Sequence, residues 1–355
     1  MLGNSFSAQV LRYIKPPLSN DRQAVINAIS ALDQYEPRSL EQIQKKRRLF
    51  AKMPSRHKAM ASNAGYLDRL EAVTEAIFEN SYVLKEMSEY AKLHHSITPH
   101  ELRFAASTPN TRVIEILEHL VRDWSLETVD NRKGLIDPVL KRLEAFLPMT
   151  SGSPPEVLVP GSGLARAAFE IAQKGYKTTA VEYSMLMDIA SKFFLQNSRR
   201  SQHYTIHPYI HEFSHQVSKD CQLRGVEIPE LNAIPHLPNL SLTYGDFTQV
   251  SYQYDAIVSL FFIDTAENIF SYLDNIYELT KPDGIWINFG PLKWGTAPQA
   301  ELTMEELETV LIDSGQWVIL DKFEGENSYN GDPKSLWTAQ YALRGWVARK
   351  VLKDI

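Results

Sequence analysis

A glycine turn between an apolar strand and a helix constrains the fold of this chain more than any other stretch. Residues 156–160 are mostly apolar, lie between Pro154-Pro155 and the turn Gly161-Ser162-Gly163, and predict a buried strand. A helical pattern follows the turn at once, and residues 177–182 predict a second strand that ends at Glu182. This order of strand, turn, helix and strand predicts the first unit of a doubly wound α/β sheet.

The same unit predicts a cofactor that contains a nucleoside. Gly161 and Gly163 let the backbone approach a ligand closely, and the Glu182 carboxylate suits the two hydroxyls of a ribose. A dinucleotide fingerprint needs a third glycine, and Arg166 stands at that position. S-adenosylmethionine has a ribose but no phosphate, so the residues favour it. A simple tight turn between strand and helix is the alternative.

Charge and cysteine content exclude several classes of protein. The net charge of −6 gives no global reason to expect nucleic acid as a partner. The single cysteine, Cys221, excludes an intramolecular disulfide framework, and no apolar run approaches the length of a membrane span. The start of the chain lacks the apolar core of a signal peptide. We therefore expect an intracellular protein, in the cytosol or the nucleus, and no membrane.

Two regions differ in their periodicity. Residues 1–150 predict a mostly helical region, whereas residues 151–355 alternate between strand and helix, as a parallel sheet with crossover helices does. The helical patterns cover residues 21–32, 40–52, 59–90, 99–104 and 110–124, and a last helix over 135–147 is introduced by Asp137-Pro138.

Four histidines spaced by four lie in an excursion from this alternation. His203, His207, His211 and His215 would share a face of an unbroken helix and could hold a metal, but Pro208 interrupts that face. We therefore predict no metal site. Residues 221–240 contain three prolines and predict a loop.

The site is expected where the parallel strands end. Ligands of open α/β sheets bind at the carboxyl ends of the strands, which here are Gly161, Gly163, Glu182, Asp246, Phe247, residues 260–264, Gly290 and Pro291. Glu182 would bind the ribose and Asp246 the adenine amino group, with Phe247 beside the ring. Residues 261–264 would face the reactive end. The alternatives are a turn-forming role for Asp246 and a helix cap for Asp264.

Several motifs together resemble one known family. They are Val121-Arg122-Asp123-Trp124-Ser125, the glycine turn, His207-Pro208-Tyr209-Ile210-His211, Gly245-Asp246-Phe247, Phe261-Phe262-Ile263-Asp264-Thr265-Ala266, and the stretch from Gly284 to Leu292. Across about residues 40–350 the chain resembles the carnosine N-methyltransferase family. The resemblance implies a class I Rossmann-like methyltransferase, with a doubly wound, mostly parallel sheet and a helical N-terminal region. It also implies S-adenosylmethionine as donor and methylation of the imidazole π nitrogen of carnosine or a histidine-containing peptide.

The resemblance assigns roles to individual residues. It places Arg122 against the cofactor together with His119, which stands where the family usually has glutamine. Gly161, Glu182, Asp246, Phe247 and Leu260 would complete the cofactor site. Asp264 would be the main substrate carboxylate, with Tyr341 hydrogen-bonding the substrate as the second catalytic residue and Tyr329 as a further substrate contact.

Two positions depart from the family pattern. The family usually has histidine where this chain has Glu267, and tyrosine followed by a substrate-binding histidine where it has Trp294 and Gly295. Methylation of histidine in proteins, or cofactor binding without turnover, therefore stay open as alternatives. A homodimer also stays open.

Overall fold

The N-terminal region is built from helices. The computed structural model describes residues 20–150, 152–196, 203–228, 236–295, 297–329 and 331–351. Its first helices are α1 (Asn20–Asp33), α2 (Tyr35–Ala51), α3 (Ser55–Asn63), α4 (Tyr66–His94), α5 (Asn110–Trp124) and α6 (Val129–Phe146). Within the described ranges, no helix combines the length and apolar content needed to cross a membrane.

Three of the predicted helix boundaries are wrong, and the first is the start of α2, which lies at Tyr35 rather than residue 40. The pattern over residues 59–90 is divided at Gly65, which precedes α4 with a left-handed φ of 81°. Helix α6 begins at Val129, six residues before the predicted start, so Pro138 lies inside the helix. Ile136, Val139 and Leu140 are buried against the sheet on both sides of the proline. This packing keeps the helix intact where a proline usually ends one.

A seven-stranded sheet forms the second region. Its strands are β1 (Glu156–Pro160), β2 (Lys177–Glu182), β5 (Leu240–Tyr244), β6 (Tyr254–Leu260), β7 (Thr280–Gly290), β8 (Trp317–Asn327) and β9 (Tyr341–Lys350), and their order in space is β5-β2-β1-β6-β7-β9-β8. Every neighbouring pair is parallel except the two that β9 makes with β7 and β8. This confirms the predicted doubly wound, mostly parallel sheet.

Helices cover both faces of the sheet. They are α7 (Arg166–Gln173), α8 (Met185–Gln196), α10 (Ile269–Leu279) and α11 (Met304–Asp313). Strand order reverses between β1 and β6, because β2 and β5 follow on one side and β7 on the other. Ligands bind outside the carboxyl ends of the strands at such a switch point.

One hydrophobic cluster joins the N-terminal helices to the sheet region. It contains Ile116, Leu117 and Leu120 of α5 together with Ile189 and Phe193 of α8. The α5 helix is therefore packed directly beside the carboxyl edge of the sheet. Its remaining face can reach a ligand bound there.

The histidine-containing excursion forms a small hairpin. Strand β3 (Tyr204–Ile206) pairs antiparallel with β4 (Val226–Ile228), and a short helix, α9 (Lys219–Leu223), precedes β4. The predicted loop over 221–240 is therefore wrong for the first part of that range. Three residues are too few to show a period in the sequence. Residues 229–235 lie outside the described ranges.

The histidines of this excursion bind protein partners. The Nε2 atom of His207 lies 2.8 Å from a Glu79 carboxylate oxygen, and Nε2 of His211 lies 2.8 Å from the Tyr35 hydroxyl. Asn80 donates to the same hydroxyl, at 3.1 Å. Tyr35 and Asn80 are fully buried, so this network fixes the hairpin to α2 and α4.

We expect the His211 contact to make the fold sensitive to acid. Burial lowers the pKa of His211 to about 4, whereas the unfolded chain has an ordinary histidine pKa of about 6.5. Between these values the unfolded state binds a proton that the folded state excludes, so stability falls as pH decreases. Titration of His211 alone should lower the free energy of unfolding by about 2 kcal/mol between pH 7 and pH 5.

Urea unfolding of the wild type and of His211→Gln at both pH values measures this contribution. In His211→Gln the difference in unfolding free energy between pH 7 and pH 5 should be smaller by about that amount. His57→Gln, at an exposed position of α3, should keep the wild-type difference. Equal pH dependence in wild type and His211→Gln would contradict the assignment.

Candidate active site

A cavity of about 1010 Å³ opens at the carboxyl ends of β1, β2 and β6. Its lining includes nine of the residues singled out from the sequence: His119, Arg122, Gly161, Gly163, Glu182, Asp246, Phe247, Leu260 and Tyr329. Asp264 and Tyr341 do not line it. The structure therefore brings the predicted cofactor residues together and leaves two predicted acceptor residues behind the wall.

The glycine turn is packed tightly by the protein itself. A Cβ atom on Gly161 would lie 2.3 Å from Cδ2 of Phe262, and one on Gly163 would lie 3.4 Å from Nη2 of Arg122. Both glycines have left-handed φ values, 60° and 55°. At Gly161 the close neighbour is therefore an aromatic ring rather than a ligand, and at Gly163 it is the guanidinium at the cavity wall.

The Glu182 carboxylate holds the turn in place. One of its oxygens accepts from the backbone N–H of Gly163 and the other from that of Ser184, each at 2.7 Å. Burial raises the pKa of Glu182, and the backbone donors act against that rise. Each oxygen keeps a further lone pair, so the carboxylate can also accept from ribose hydroxyls.

Asp246 and Phe247 follow β5, beside the Glu182 end of β2. Asp246 accepts from the backbone N–H of Thr248 at 2.9 Å, which is the turn-forming role given above as its alternative, and it also lines the cavity. Phe247 meets the rings of Phe262 and Tyr272 edge on, with centroids 5.1 and 4.7 Å away. These aromatic rings form a wall that suits a flat heterocycle such as adenine.

Arg122 and Asp123 place opposite charges side by side on α5. The carboxylate of Asp123 accepts from Nε and Nη2 of Arg122 at 2.6 and 2.8 Å. Burial lowers the pKa of Arg122, but the negative charge of Asp123 raises it by more. The pKa of Arg122 therefore lies above its ordinary value. Both residues line the cavity. The pair therefore complements a zwitterion, such as the amino-acid end of S-adenosylmethionine.

His119 lies one turn before Arg122 on the same helix face. Its Nδ1 atom is 3.4 Å from the sulfur of Met187, and burial lowers its pKa to about 3. The imidazole is therefore neutral at physiological pH. It contributes shape and a hydrogen-bonding nitrogen rather than charge.

An aromatic group follows the end of β6. Phe261 has a left-handed φ of 48° and stacks on Tyr329, with centroids 4.6 Å apart, while Tyr341 meets it edge on at 5.8 Å. The Arg122 guanidinium lies 4.6 Å from the centre of the Tyr329 ring. Tyr329 thus lies between Arg122, among the predicted cofactor residues, and Phe261. Tyr341 packs against Phe261 without lining the cavity.

Asp264 lies beneath the segment that follows β7. It is 6% exposed, and its Oδ2 atom accepts from the backbone N–H of Lys293 at 2.9 Å. The backbone N–H of Gly295 donates to the Asp264 carbonyl at 3.2 Å. Burial raises the pKa of this carboxyl group. Asn268 caps α10, so the helix-cap alternative for Asp264 is wrong.

The two positions that depart from the family pattern differ in their surroundings. Glu267 lines the cavity. A Cβ atom on Gly295 would have no neighbour within 4 Å, so there is open space at this position. The missing histidine side chain has not been replaced by another group from the described part of the chain.

Several cavity residues had no signal in the sequence. Asn131, Arg132 and Tyr272 line the cavity from helices, away from any strand end, and Asn327 lines it from the end of the antiparallel edge strand β8. Their positions depend on how α6, α10 and β8 pack around the cavity, which local patterns do not encode. Among the described residues, no group of three or more histidine, cysteine or acidic side chains is arranged to hold a metal.

The sheet order and the site define a class I methyltransferase that uses S-adenosylmethionine. The sequence model for carnosine N-methyltransferase matches residues 99–351, and the chain belongs to that family. It is an S-adenosylmethionine-dependent N-methyltransferase.

Known relatives cover most of the chain. The carnosine N-methyltransferase of Schizosaccharomyces pombe is 31% identical over 336 residues, which cover 86% of this chain and 90% of that protein. The Rattus norvegicus enzyme of the same name is 28% identical over 351 residues, 93% of this chain and 86% of that protein. The magnesium protoporphyrin IX methyltransferase of Synechocystis PCC 6803 is 12% identical, with 68% of this chain and 95% of that chain covered and a TM-score of 0.44.

We expect Arg122→Met to weaken binding of S-adenosylhomocysteine by about 10- to 100-fold, because one charge-assisted hydrogen bond to the cofactor carboxylate is lost. Binding of 5′-methylthioadenosine, which has no amino-acid end, should change little. Titration calorimetry measures both. Arg142→Met is the matched control, since Arg142 also pairs with a carboxylate, that of Asp321, and covers an aromatic ring, but does not line the cavity. Equal weakening of both ligands would show that Arg122 only supports the fold.

Proposed function

We propose that this enzyme transfers a methyl group to the imidazole π nitrogen of carnosine and so forms anserine. Family membership supports carnosine as the acceptor, since the relatives carry that name. The observation that carries the proposal is the aromatic group of Phe261, Tyr329 and Tyr341 beside the cofactor wall. A flat acceptor ring such as imidazole packs well against such a surface.

Imidazole needs little activation to accept a methyl group. Its free pKa of about 6.5 leaves a neutral nitrogen with a lone pair at physiological pH. When bound, S-adenosylmethionine supplies a methyl group on a sulfonium, and the electrons of the broken carbon–sulfur bond stay on sulfur. The protein must then hold the nitrogen in line, about 3 Å from the methyl carbon.

Asp264 would stabilise the charge that develops on the acceptor ring. We propose that its carboxylate accepts the N–H of the second ring nitrogen, fixes the tautomer and later takes that proton. One oxygen already binds the Lys293 amide, which leaves the other for the acceptor. Residues 293–295 cover Asp264, so the contact requires this segment to move aside. Gly295 has open space beside it for such a movement.

Methyl transfer to carnosine is the direct test of the proposed function. Purified enzyme with labelled S-adenosylmethionine should convert carnosine to anserine, identified by its two-dimensional NMR spectrum against the isomer methylated on the other nitrogen. Homocarnosine, free histidine and a protein extract serve as competing acceptors. Label on the other nitrogen, or label only in the extract, would overturn the proposal.

We expect Asp264→Asn to lower kcat by about 10²- to 10³-fold, the cost of losing one charge-stabilising group in the transition state. Affinity for S-adenosylhomocysteine should stay within about twofold, because Asp264 does not line the cavity. Single-turnover rates and calorimetry separate the two effects. Parallel loss of rate and cofactor affinity would mean that Asp264 acts only by holding residues 293–295.

A further inference from the structure

Arg132 is a buried cation in the cavity wall without a carboxylate partner. It is 8% exposed, and its Nη1 atom donates to the carbonyls of Arg122 and Ser125, each at 3.1 Å. Its Nε and Nη2 atoms have no hydrogen-bond partner among the described residues, and no carboxylate of those residues pairs with it. The residue lines the cavity.

The other arginines of the cavity are neutralised. Within the described ranges four arginines line it, and Arg112, Arg122 and Arg166 pair with Glu115, Asp123 and Glu170 at 3.1, 2.6 and 2.6 Å. Among these four, Arg132 alone has no carboxylate in direct contact within the described ranges, and Glu170 and Asp123 act on it only from a distance. Its burial and the nearby Arg166 lower its pKa, which is the cost of a buried cation. A bound anion would relieve that cost.

Arg132 stands next to the loop that carries Tyr329. The preceding residue, Asn131, donates to the Ser328 hydroxyl at 3.0 Å, and its carbonyl accepts from Asn327 at 2.8 Å. The backbone N–H of Tyr329 donates to Asn327 at 2.7 Å. This chain of contacts attaches the start of α6 to the aromatic group where the acceptor is proposed to bind.

The cofactor does not account for this charge. Its amino-acid end is a zwitterion, which the Arg122–Asp123 pair matches with one charge of each sign. Capping of α5 also does not account for it, because the α5 carbonyls use only Nη1. Two guanidinium nitrogens therefore remain for a further anion, and a planar carboxylate fits that fork.

We propose that Arg132 binds the carboxylate of the methyl acceptor, so that the enzyme selects imidazole compounds with a free α-carboxylate over histidine within a polypeptide. This inference rests on the proposed function, since it names the acceptor class of the same site. Carnosine has such a carboxylate, and its decarboxylated analogue carcinine has the same imidazole and the same β-alanyl group without it.

Binding of carnosine and carcinine to the enzyme loaded with S-adenosylhomocysteine tests the inference. For the wild type, carnosine should bind about 10- to 100-fold more tightly than carcinine, the range expected for one charged hydrogen-bonding group. Arg132→Met should remove that preference by weakening carnosine alone, and Arg132→Lys should restore part of it. Lys133→Met, at the exposed neighbouring position on α6, should keep the wild-type preference.

Comparing carnosine with carcinine in the same variant separates a lost carboxylate contact from a folding defect, because a folding defect would weaken both ligands. The inference is overturned if Arg132→Met weakens carnosine and carcinine equally, or if it weakens S-adenosylhomocysteine but keeps the preference for carnosine over carcinine. A wild type that does not prefer carnosine would also overturn it. If carnosine binds with the expected preference but receives no methyl group, the proposed function fails and the carboxylate site stands.

Discussion

Burial of the apolar face of α5 is the constraint on which the site depends. Ile116, Leu117 and Leu120 lie in the cluster shared with α8, and helical spacing then turns His119 and Arg122 toward the cavity. The buried indole of Trp124 donates to the Leu164 carbonyl at 3.2 Å, which joins the end of α5 to the glycine turn. The Arg122 guanidinium is thereby held beside Gly163.

A second set of contacts holds the β8–β9 loop, which carries Tyr329. Arg224 pairs with Asp332 of the β8–β9 loop at 2.5 Å and with Glu127 after α5 at 3.0 Å, and it covers the Tyr209 ring. Leu336 of the same loop donates its backbone N–H to the His215 carbonyl at 2.8 Å. The β3–β4 excursion therefore supports the loop that presents Tyr329. Residues 207–211 do not line the cavity; His207 and His211 contact α4 and α2, and Tyr209 packs under Arg224.

The doubly wound sheet and the cofactor residues at its strand ends followed from local patterns, because each strand end carries its own signal in a few consecutive residues. Gly161, Glu182 and Asp246 needed only the period of the strands before them. Arg132 had no such signal, since a single arginine on a helix is usually exposed and its burial depends on the packing of α6 against α5. The cover over Asp264 depends on Lys293, nearly thirty residues further on, and the early start of α6 depends on packing that overrides Pro138.

Two consecutive aromatic residues after β6, Phe261 and Phe262, pack in two different walls of the cavity. Phe262 fills the space above Gly161 in the cofactor turn, while Phe261 stacks on Tyr329. Because neighbouring residues share one strained backbone segment, a shift that opens one wall displaces the other. A substitution that changes the space around either ring is therefore expected to alter the shape of both walls.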